Sequence, residues 1–323
     1  MEQSDRGRLA EQPTEVPPRG WKDVLIRVKS EAKEDHVSLL SAGVAFYALL
    51  ALVPALVALL SIYGLVADPE DIERQVLDAL SAAPAEVREM VSEQLTSIQG
   101  SSAGTAVFAA IAGIVLALWS ASSGIKHLIE AINAAYDEKE SRGFVRLRGL
   151  SLAFTAGAVV FFVIAFGAIA LLPSLLAETG LGTAGRIAAG LLRWVVLLAG
   201  LLVGLAVLYR YAPSRENARW AWVSPGALLA SVLWLAGSVL FSIYTANFGK
   251  YNETYGSLGV VVVVMLWLFL TMVSIVLGAE LNAEVERQTV KDTTSGRPAA
   301  MGSRGAYAAD TVGESSDASE ASG

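Results

Sequence analysis

The chain contains no cysteine and only two histidines among its 323 residues. Without cysteine there is no disulfide scaffold, no thiolate metal site and no cysteine nucleophile. The histidines, His36 and His127, leave little for metal ligation or for histidine-based catalysis. Charge is also scarce, since Asp, Glu, Lys and Arg together make up 17% of the residues, against about 25% in soluble domains. These shortages argue against most familiar enzyme classes and against an ordinary soluble domain.

Apolar residues, in contrast, make up 54% of the chain, with a mean hydropathy of +0.52. They are gathered into six long blocks, and a bilayer core about 30 Å thick is crossed by about 20 apolar residues of helix. The sequence therefore predicts an all-α polytopic membrane helix bundle with six transmembrane helices within a domain of residues 37–286. The predicted spans are 37–67, 104–125, 149–172, 186–211, 221–246 and 257–280.

The distribution of Lys and Arg predicts how the chain is oriented. Nineteen of the 24 lie before the first span, between the second and third, between the fourth and fifth, or after the sixth. Loops rich in Lys and Arg stay on the cytoplasmic side. Both termini are therefore predicted to be cytoplasmic. The net charge of −7 argues against nucleic acid as a partner, because phosphate neutralisation needs clustered cations.

The two ends of the chain differ in composition from the spans. Residues 1–20 contain three prolines and are predicted to be a disordered lead. Residues 21–36 pattern as a helix with one apolar face and several cations, which predicts a cytoplasmic interfacial helix near anionic lipid. Residues 287–323 are rich in Gly, Ser, Ala and acidic residues, a composition that predicts a disordered cytoplasmic tail.

The connection 68–103 carries eight carboxylates and two arginines, with apolar residues at helical spacing. This pattern predicts two short amphipathic helices on the external face. They would either cap a cavity or bind a partner, or form a long connection that packs on helix ends.

Polar residues inside the spans are the candidates for function, because each needs a partner or a wet cavity. Pro54 removes a backbone donor and is predicted to kink the first span after Tyr47, either at a gate or through ordinary packing. Arg193 would either sit at the external boundary of the fourth span or bind an anionic partner.

Two further groups lie at the ends of the last spans. The link between the fifth and sixth spans concentrates polar side chains and a glycine, namely Asn247, Asn252, Tyr255 and Gly256. The sixth span closes with Glu280 and Asn282, at the level of Arg210. This level predicts a partly buried ion pair between Glu280 and Arg210, with a proton-carrying carboxylate as the alternative.

Five runs along the chain are distinctive. They are Ala42-Gly43-Val44-Ala45-Phe46-Tyr47-Ala48-Leu49-Leu50, Tyr209-Arg210-Tyr211-Ala212-Pro213, Ser224-Pro225-Gly226-Ala227, Asn247-Phe248-Gly249-Lys250-Tyr251-Asn252-Glu253-Thr254-Tyr255-Gly256-Ser257-Leu258-Gly259 and Gly278-Ala279-Glu280-Leu281-Asn282-Ala283. Together these runs resemble the YihY/virulence factor BrkB family. The resemblance covers about residues 20–287. It implies a bacterial-type inner-membrane protein with six spans and both ends inside.

The resemblance implies no substrate, because the family has no established biochemical activity. Some members carry the label ribonuclease BN, but the chain lacks a clustered His and Asp motif for metal-activated hydrolysis. We therefore expect no enzyme, no cofactor and no metal site. Two hypotheses remain open: a permeation protein for a small solute, ion or lipid, and a non-transporting envelope scaffold. A homo-oligomer is also left open.

Overall fold

The computed structural model describes residues 5–66, 103–170, 182–246 and 257–317. Within these ranges the secondary structure is almost entirely helical, with one isolated β-bridge between Ala218 and Thr294. A 3-10 turn at Pro13–Glu15 precedes the first helix. The helices are α1 (Pro18–Glu34), α2 (Val37–Val66), α3 (Ala103–Ala135), α4 (Phe144–Ala170), α5 (Thr183–Tyr211), α6 (Trp220–Ala246), α7 (Ser257–Glu286) and the short α8 (Tyr307–Asp310).

Helices α2 to α7 correspond to the six predicted spans. Helix α3 continues to Ala135 and α7 to Glu286, beyond the predicted ends at 125 and 280. Among the described residues, five helices are long and apolar enough to cross a membrane, and the bent pair α1–α2 raises the number to six. At most 22% of the residues in the most apolar stretch of each of the five are buried, so most side chains of these stretches face outward, as lipid-exposed helices require. The prediction of an all-α polytopic membrane bundle is confirmed.

A sharp break separates α1 from α2. Helix α1 begins at Pro18, where the missing proline N–H leaves no helical hydrogen bond unmade. After Asp35 the chain passes through His36, whose φ of 53° places it in the left-handed region that few non-glycine residues adopt. The two helices are bent by 61° at this point. The break places Asp35 at a junction between two helices.

The contacts of the chain divide it into two compact units. Unit 1 comprises Met1–Ser41, Leu128–Leu235 and Val273–Gly323, and unit 2 comprises Ala42–His127 and Ala236–Met272. Unit 1 thus combines both terminal segments with parts of α3, α6 and α7 and with α4 and α5. The candidate site described below belongs to unit 1.

The terminal segments differ from the prediction of disorder. The backbone N–H of Val290 donates to the carbonyl oxygen of Arg8 at 2.9 Å, and that of Gly313 donates to the carbonyl of Arg287 at 2.9 Å. The hydroxyl of Thr289 donates to the carbonyl of Ala10 at 2.7 Å. Residues 5–20 and 287–317 are therefore packed against each other, which corrects the prediction for these parts of 1–20 and 287–323.

Arg304 illustrates why composition misled the prediction for the tail. Its buried guanidinium donates to the carbonyl oxygens of Val290 at 2.9 Å, Lys291 at 3.1 Å and Ala309 at 2.7 Å. The disorder prediction measured only how much apolar surface the tail could bury. Hydrogen bonds from a buried arginine to backbone carbonyls hold this segment instead. The two predicted external helices of 68–103 lie outside the described residues.

Candidate functional site: a carboxyl pair beside the crossing of α6 and α7

Helices α6 and α7 meet backbone to backbone at Gly226 and Gly278. A Cβ atom on Gly278 would lie 2.6 Å from the carbonyl oxygen of Gly226 and 3.0 Å from Cβ of Ala230. A Cβ atom on Gly226 would overlap the carbonyl oxygen of Gly278. Small residues allow membrane helices to approach this closely. The two glycines therefore fix the distance between α6 and α7 within unit 1.

Asn282 of α7 stabilises the same crossing with hydrogen bonds to the backbone of α6. Its Oδ1 accepts from the backbone N–H of Gly226 at 2.7 Å, and its Nδ2 donates to the carbonyl oxygen of Val223 at 3.2 Å. On the preceding turns of α7, the hydroxyl of Tyr209 donates to the carbonyl of Ile275 at 2.8 Å. An amide side chain can satisfy a donor and an acceptor at once. Asn282 is thus a positioning residue that holds α6 on α7.

The last turns of α7 bury three carboxyl groups. Glu280, Glu284 and Glu286 are each at most 1% exposed. A buried carboxylate is costly unless a cation or hydrogen-bond donors compensate it. The partners of these three residues therefore show how each one is tolerated.

Two of the three glutamates are neutralised by arginine. Glu284 forms a buried ion pair with Arg27 of α1. The guanidinium of Arg215 donates to both oxygens of Glu286, at 3.0 and 2.7 Å, and the hydroxyl of Thr293 adds a 2.7 Å hydrogen bond. These arrangements meet the requirement that a buried charge be paired and hydrogen-bonded.

Glu280 has a different partner. Its Oε1 is buried and has no hydrogen-bond donor in the structure. Its carboxyl group lies within hydrogen-bonding reach of the carboxyl group of Asp35. Two ionised carboxylates carry no hydrogen to share, so this contact becomes a hydrogen bond only when one of them is protonated. We call Asp35 and Glu280 the carboxyl pair.

The surroundings of Asp35 favour its neutral form. Burial, together with the negative charges of Asp137 and Glu31, raises the pKa of Asp35 to about 6. Burial also raises the pKa of Asp137, with Glu31 as the next contribution. A group in such surroundings changes its charge near neutral pH. The carboxyl pair therefore lies in an environment that disfavours two negative charges.

The predicted ion pair between Glu280 and Arg210 is not formed. Arg210 instead donates to the carbonyl oxygen of Ala218, and its guanidinium carbon lies 4.7 Å from the ring centre of Trp220. The prediction placed Glu280 and Arg210 at one level along the helices. A shared level does not fix the direction in which a side chain leaves its helix, and Glu280 is directed to the break at Asp35.

The other predicted site residues are not brought to the carboxyl pair. In unit 2, the ring of Tyr47 stacks on that of His127, with centroids 3.8 Å apart. Arg193 lies on α5 with its guanidinium carbon 5.4 Å from the ring centre of Trp194. Pro54 lies inside the continuous helix α2, and its side chain is outside the described part. Outside the described residues altogether are Asn247, Asn252, Tyr255 and Gly256.

Sequence reasoning missed Asp35 and the two arginine-paired glutamates. A signal was present, because Glu280 and Glu284 are four residues apart and therefore share a helix face. Ending the span at 280 by hydropathy treated the following glutamates as solvated. Nothing in the sequence pattern places Asp35 beside α7, since 245 positions of chain separate Asp35 from Glu280.

Relatives of known sequence support the family resemblance. A ribonuclease-like protein of Bacillus subtilis, YfkH, is 32% identical over 258 residues, which cover 77% of this chain and 90% of the relative. A UPF0761 membrane protein of Chlorobium luteolum is 26% identical over 257 residues, or 77% of this chain and 57% of the relative. A third, the UPF0761 membrane protein of Tolumonas auensis, is 33% identical over 96 residues, or 30% of this chain and 32% of the relative.

No solved structure matches the chain. The model of the family described as virulence factor BrkB matches residues 28–302, a range that includes α2 to α7 and the carboxyl pair. The chain is a polytopic membrane protein that belongs to the virulence factor BrkB family.

Proposed function

We propose that this protein is a permeation protein of the bacterial plasma membrane, with cytoplasmic termini, that moves a small solute, an ion or a lipid across the bilayer. The observation that carries this proposal is the buried carboxyl group of Glu280, which meets another carboxyl group instead of a cation. An ionisable side chain in a membrane helix is costly and commonly belongs to a transport pathway or a proton relay.

The neighbouring glutamates make the argument specific. Glu284 and Glu286 occupy the same helix end, are equally buried, and each has an arginine partner. A carboxylate kept only for packing would be expected to have such a partner. Glu280 has none of that compensation, so its position favours a role that uses the carboxyl group.

Purified protein in liposomes provides the test. The assays are efflux of a trapped fluorescent anion, uptake of a radioactive monovalent cation, and scrambling of a fluorescent phospholipid. We expect the wild type to raise at least one of these rates above that of empty vesicles. The Glu280→Gln variant should lower that rate by about tenfold or more, which corresponds to about 1.4 kcal/mol or more in the barrier.

Glu11→Gln is the matched control, because Glu11 is an exposed glutamate of the same unit and is not among the groups that act on Asp35 or Glu280. Its rate should equal that of the wild type. If Glu280→Gln reconstitutes and transports as well as the wild type, the carboxyl group has no part in permeation. If the wild type is inactive in all three assays, the scaffold hypothesis takes the place of this proposal.

The ribonuclease-like name belongs to the Bacillus subtilis relative, and the proposal does not transfer it. The two histidines of this chain lie on the α1–α2 break and in α3. The chemistry of a metal-dependent nuclease needs clustered His and Asp ligands. Permeation requires no such cluster.

A further inference from the structure

We infer that the carboxyl pair, Asp35 and Glu280, is a proton-binding site, and that release of its proton frees the α1–α2 break from α7. The inference deepens the proposed function by naming the proton as a ligand of the same site. The role of the proton in transport rests on that proposal, whereas proton binding itself does not. The experiments below measure the proton and the break without any transport assay.

The contact itself is the first argument. Glu280 is 1% exposed, and its Oε1 has no hydrogen-bond donor, while its carboxyl group reaches that of Asp35. One proton converts this contact from repulsion between two anions into a hydrogen bond that compensates buried Glu280 and half-buried Asp35.

The surrounding charges do not provide another way to neutralise the pair. Most groups that act on it are themselves acidic. The charged and titratable groups that face the pair from α1, from the α3–α4 link and from α7 are Glu31, Glu34, Tyr136, Asp137 and Glu284. Arg287, which acts on the neighbouring Asp137, already pairs with Glu31 at 2.8 Å and with Glu284 at 2.5 Å.

A metal ion does not fit the same geometry. In the described part of the chain, no group of three or more His, Asp and Glu side chains is arranged to hold a metal. Sodium and calcium need several oxygen ligands around the ion. The direct contact between two carboxyl groups suits a proton, which needs one donor oxygen and one acceptor oxygen.

Proton release has a mechanical consequence because Asp35 lies at the break. When the proton leaves to water as hydronium or to a base, one O–H bond breaks and two negative charges remain in contact. Repulsion then acts between α7 and the junction that contains Asp35 and left-handed His36. The ring of His36 contacts the carbonyl oxygen of Glu34 at 2.6 Å, so Nδ1 of the ring is directed to α1. The junction is thus the segment expected to move.

Infrared spectroscopy of the protein in nanodiscs tests the proton directly. The C=O stretch of a protonated carboxyl group is separate from the bands of carboxylates. At neutral pH we expect such a band in the wild type and in the exposed control Glu11→Gln, and its loss in Glu280→Gln. Equal bands in the wild type and Glu280→Gln would overturn the proton site.

Asp35→Asn gives the same test without altering α7. It leaves Glu280 in place and changes only the hydrogen-bond partner, so the band should shift in frequency. An unshifted band in Asp35→Asn means that the two carboxyl groups do not interact, and it also overturns the inference.

Thiol labelling tests the release of the break. Ser38 is exposed at the start of α2, and the chain has no native cysteine. We measure the labelling rate of Ser38→Cys divided by that of Ser38→Cys/Glu280→Gln, because the titration of the thiol itself cancels in this ratio. At acid pH the ratio should be constant. As the pH rises through the range in which the infrared band disappears, the ratio should increase. A ratio independent of pH would contradict the coupling, even if the proton is confirmed and whether or not the protein transports.

Discussion

The backbone N–H of Gly226 donates a 2.7 Å hydrogen bond to Oδ1 of Asn282. This bond joins two helices at the point where Gly226 and Gly278 bring their backbones together. The runs Ser-Pro-Gly-Ala and Gly-Ala-Glu-Leu-Asn therefore have a structural explanation. Glycine permits the approach, asparagine fixes it, and Glu280 lies between Gly278 and Asn282 on α7. The crossing thus positions one member of the carboxyl pair.

Enlarging either crossing glycine should destabilise the protein. Gly226→Ala and Gly278→Ala place a methyl group against backbone atoms that cannot rotate away. Overpacking of this kind costs about 1–3 kcal/mol and sometimes more. We expect a lower melting temperature in detergent for each variant, measured by intrinsic tryptophan fluorescence.

Gly237→Ala is the control for this prediction. Gly237 is in α6 like Gly226, but a Cβ atom there would meet nothing within 4 Å. Alanine should stabilise the helix by roughly 0.5–1 kcal/mol relative to glycine. If Gly226→Ala and Gly237→Ala change the melting temperature equally, the close crossing does not exist in solution.

The separation of Arg210 from Glu280 predicts that their substitutions act independently. Arg210→Gln removes the contacts with Ala218 and Trp220, whereas Glu280→Gln changes the carboxyl pair. Independent sites add within about 0.5 kcal/mol. The double variant should therefore show the sum of the two losses in unfolding free energy. Recovery of stability in the double variant would restore the ion pair first predicted from the sequence.

Much of this fold follows from the sequence, because a helix that crosses lipid needs a long apolar segment, and such segments are visible in the sequence. The all-α membrane bundle and the family are confirmed, and the described residues contain five candidate spans, or six with the bent pair α1–α2. Gly226 and Gly278 stand in the runs that carry the resemblance, but their close approach was not predicted and is shown by the structure. Burial of residues 287–317 was not readable, because arginine bonds to carbonyls leave no periodic apolar pattern.

The candidate site was predicted only in part. Glu280 and Asn282 were identified, since polar groups at the end of an apolar helix require an explanation. The partner of Glu280 was wrong, because Asp35 approaches through the left-handed turn at His36. A positive φ at a histidine has no sequence signature. Local conformation, more than hydropathy, decides which side chain reaches Glu280.

Orientation in the membrane remains a prediction of the Lys and Arg count. In the cysteine-free chain, Ser92→Cys should react with an impermeant thiol reagent in intact cells. Ser141→Cys and Ser303→Cys should be protected until the membrane is opened. Labelling of Ser141→Cys from outside would reverse the topology, whereas labelling after permeabilisation shows that the site is reactive.

Helix α1 is predicted to rest on anionic lipid. It exposes Leu25 by 57% and Ile26 by 39%, and exposed Lys22 and Lys29 flank them. This arrangement is typical of interfacial helices. A fluorophore on Leu25→Cys should be quenched by lipid-borne quenchers in nanodiscs, more strongly with anionic lipid than with zwitterionic lipid.

The control for α1 places the same fluorophore on Gln12→Cys, at an exposed position before α1, where quenching should be weak. Lys22→Gln/Lys29→Gln should remove the preference for anionic lipid, because each basic residue near such a surface contributes about 1 kcal/mol. Equal quenching at both positions would show that α1 does not lie on the bilayer in the predicted orientation.

The pH dependence of stability tests the carboxyl pair most directly. The pKa of Asp35 is raised from 3.8 to about 6 by burial. A carboxyl group with a raised folded pKa stabilises the protein fully below its unfolded pKa, and this contribution is lost as the pH rises through the folded pKa. The measurement is the melting temperature of the wild type minus that of Asp35→Asn, from about pH 4 to pH 7, so that carboxylates other than Asp35 cancel. We predict that this difference falls as the pH rises, by the equivalent of about 1 kcal/mol after allowing for the partial exposure of Asp35. A difference that stays constant or rises over this range would contradict the shared proton.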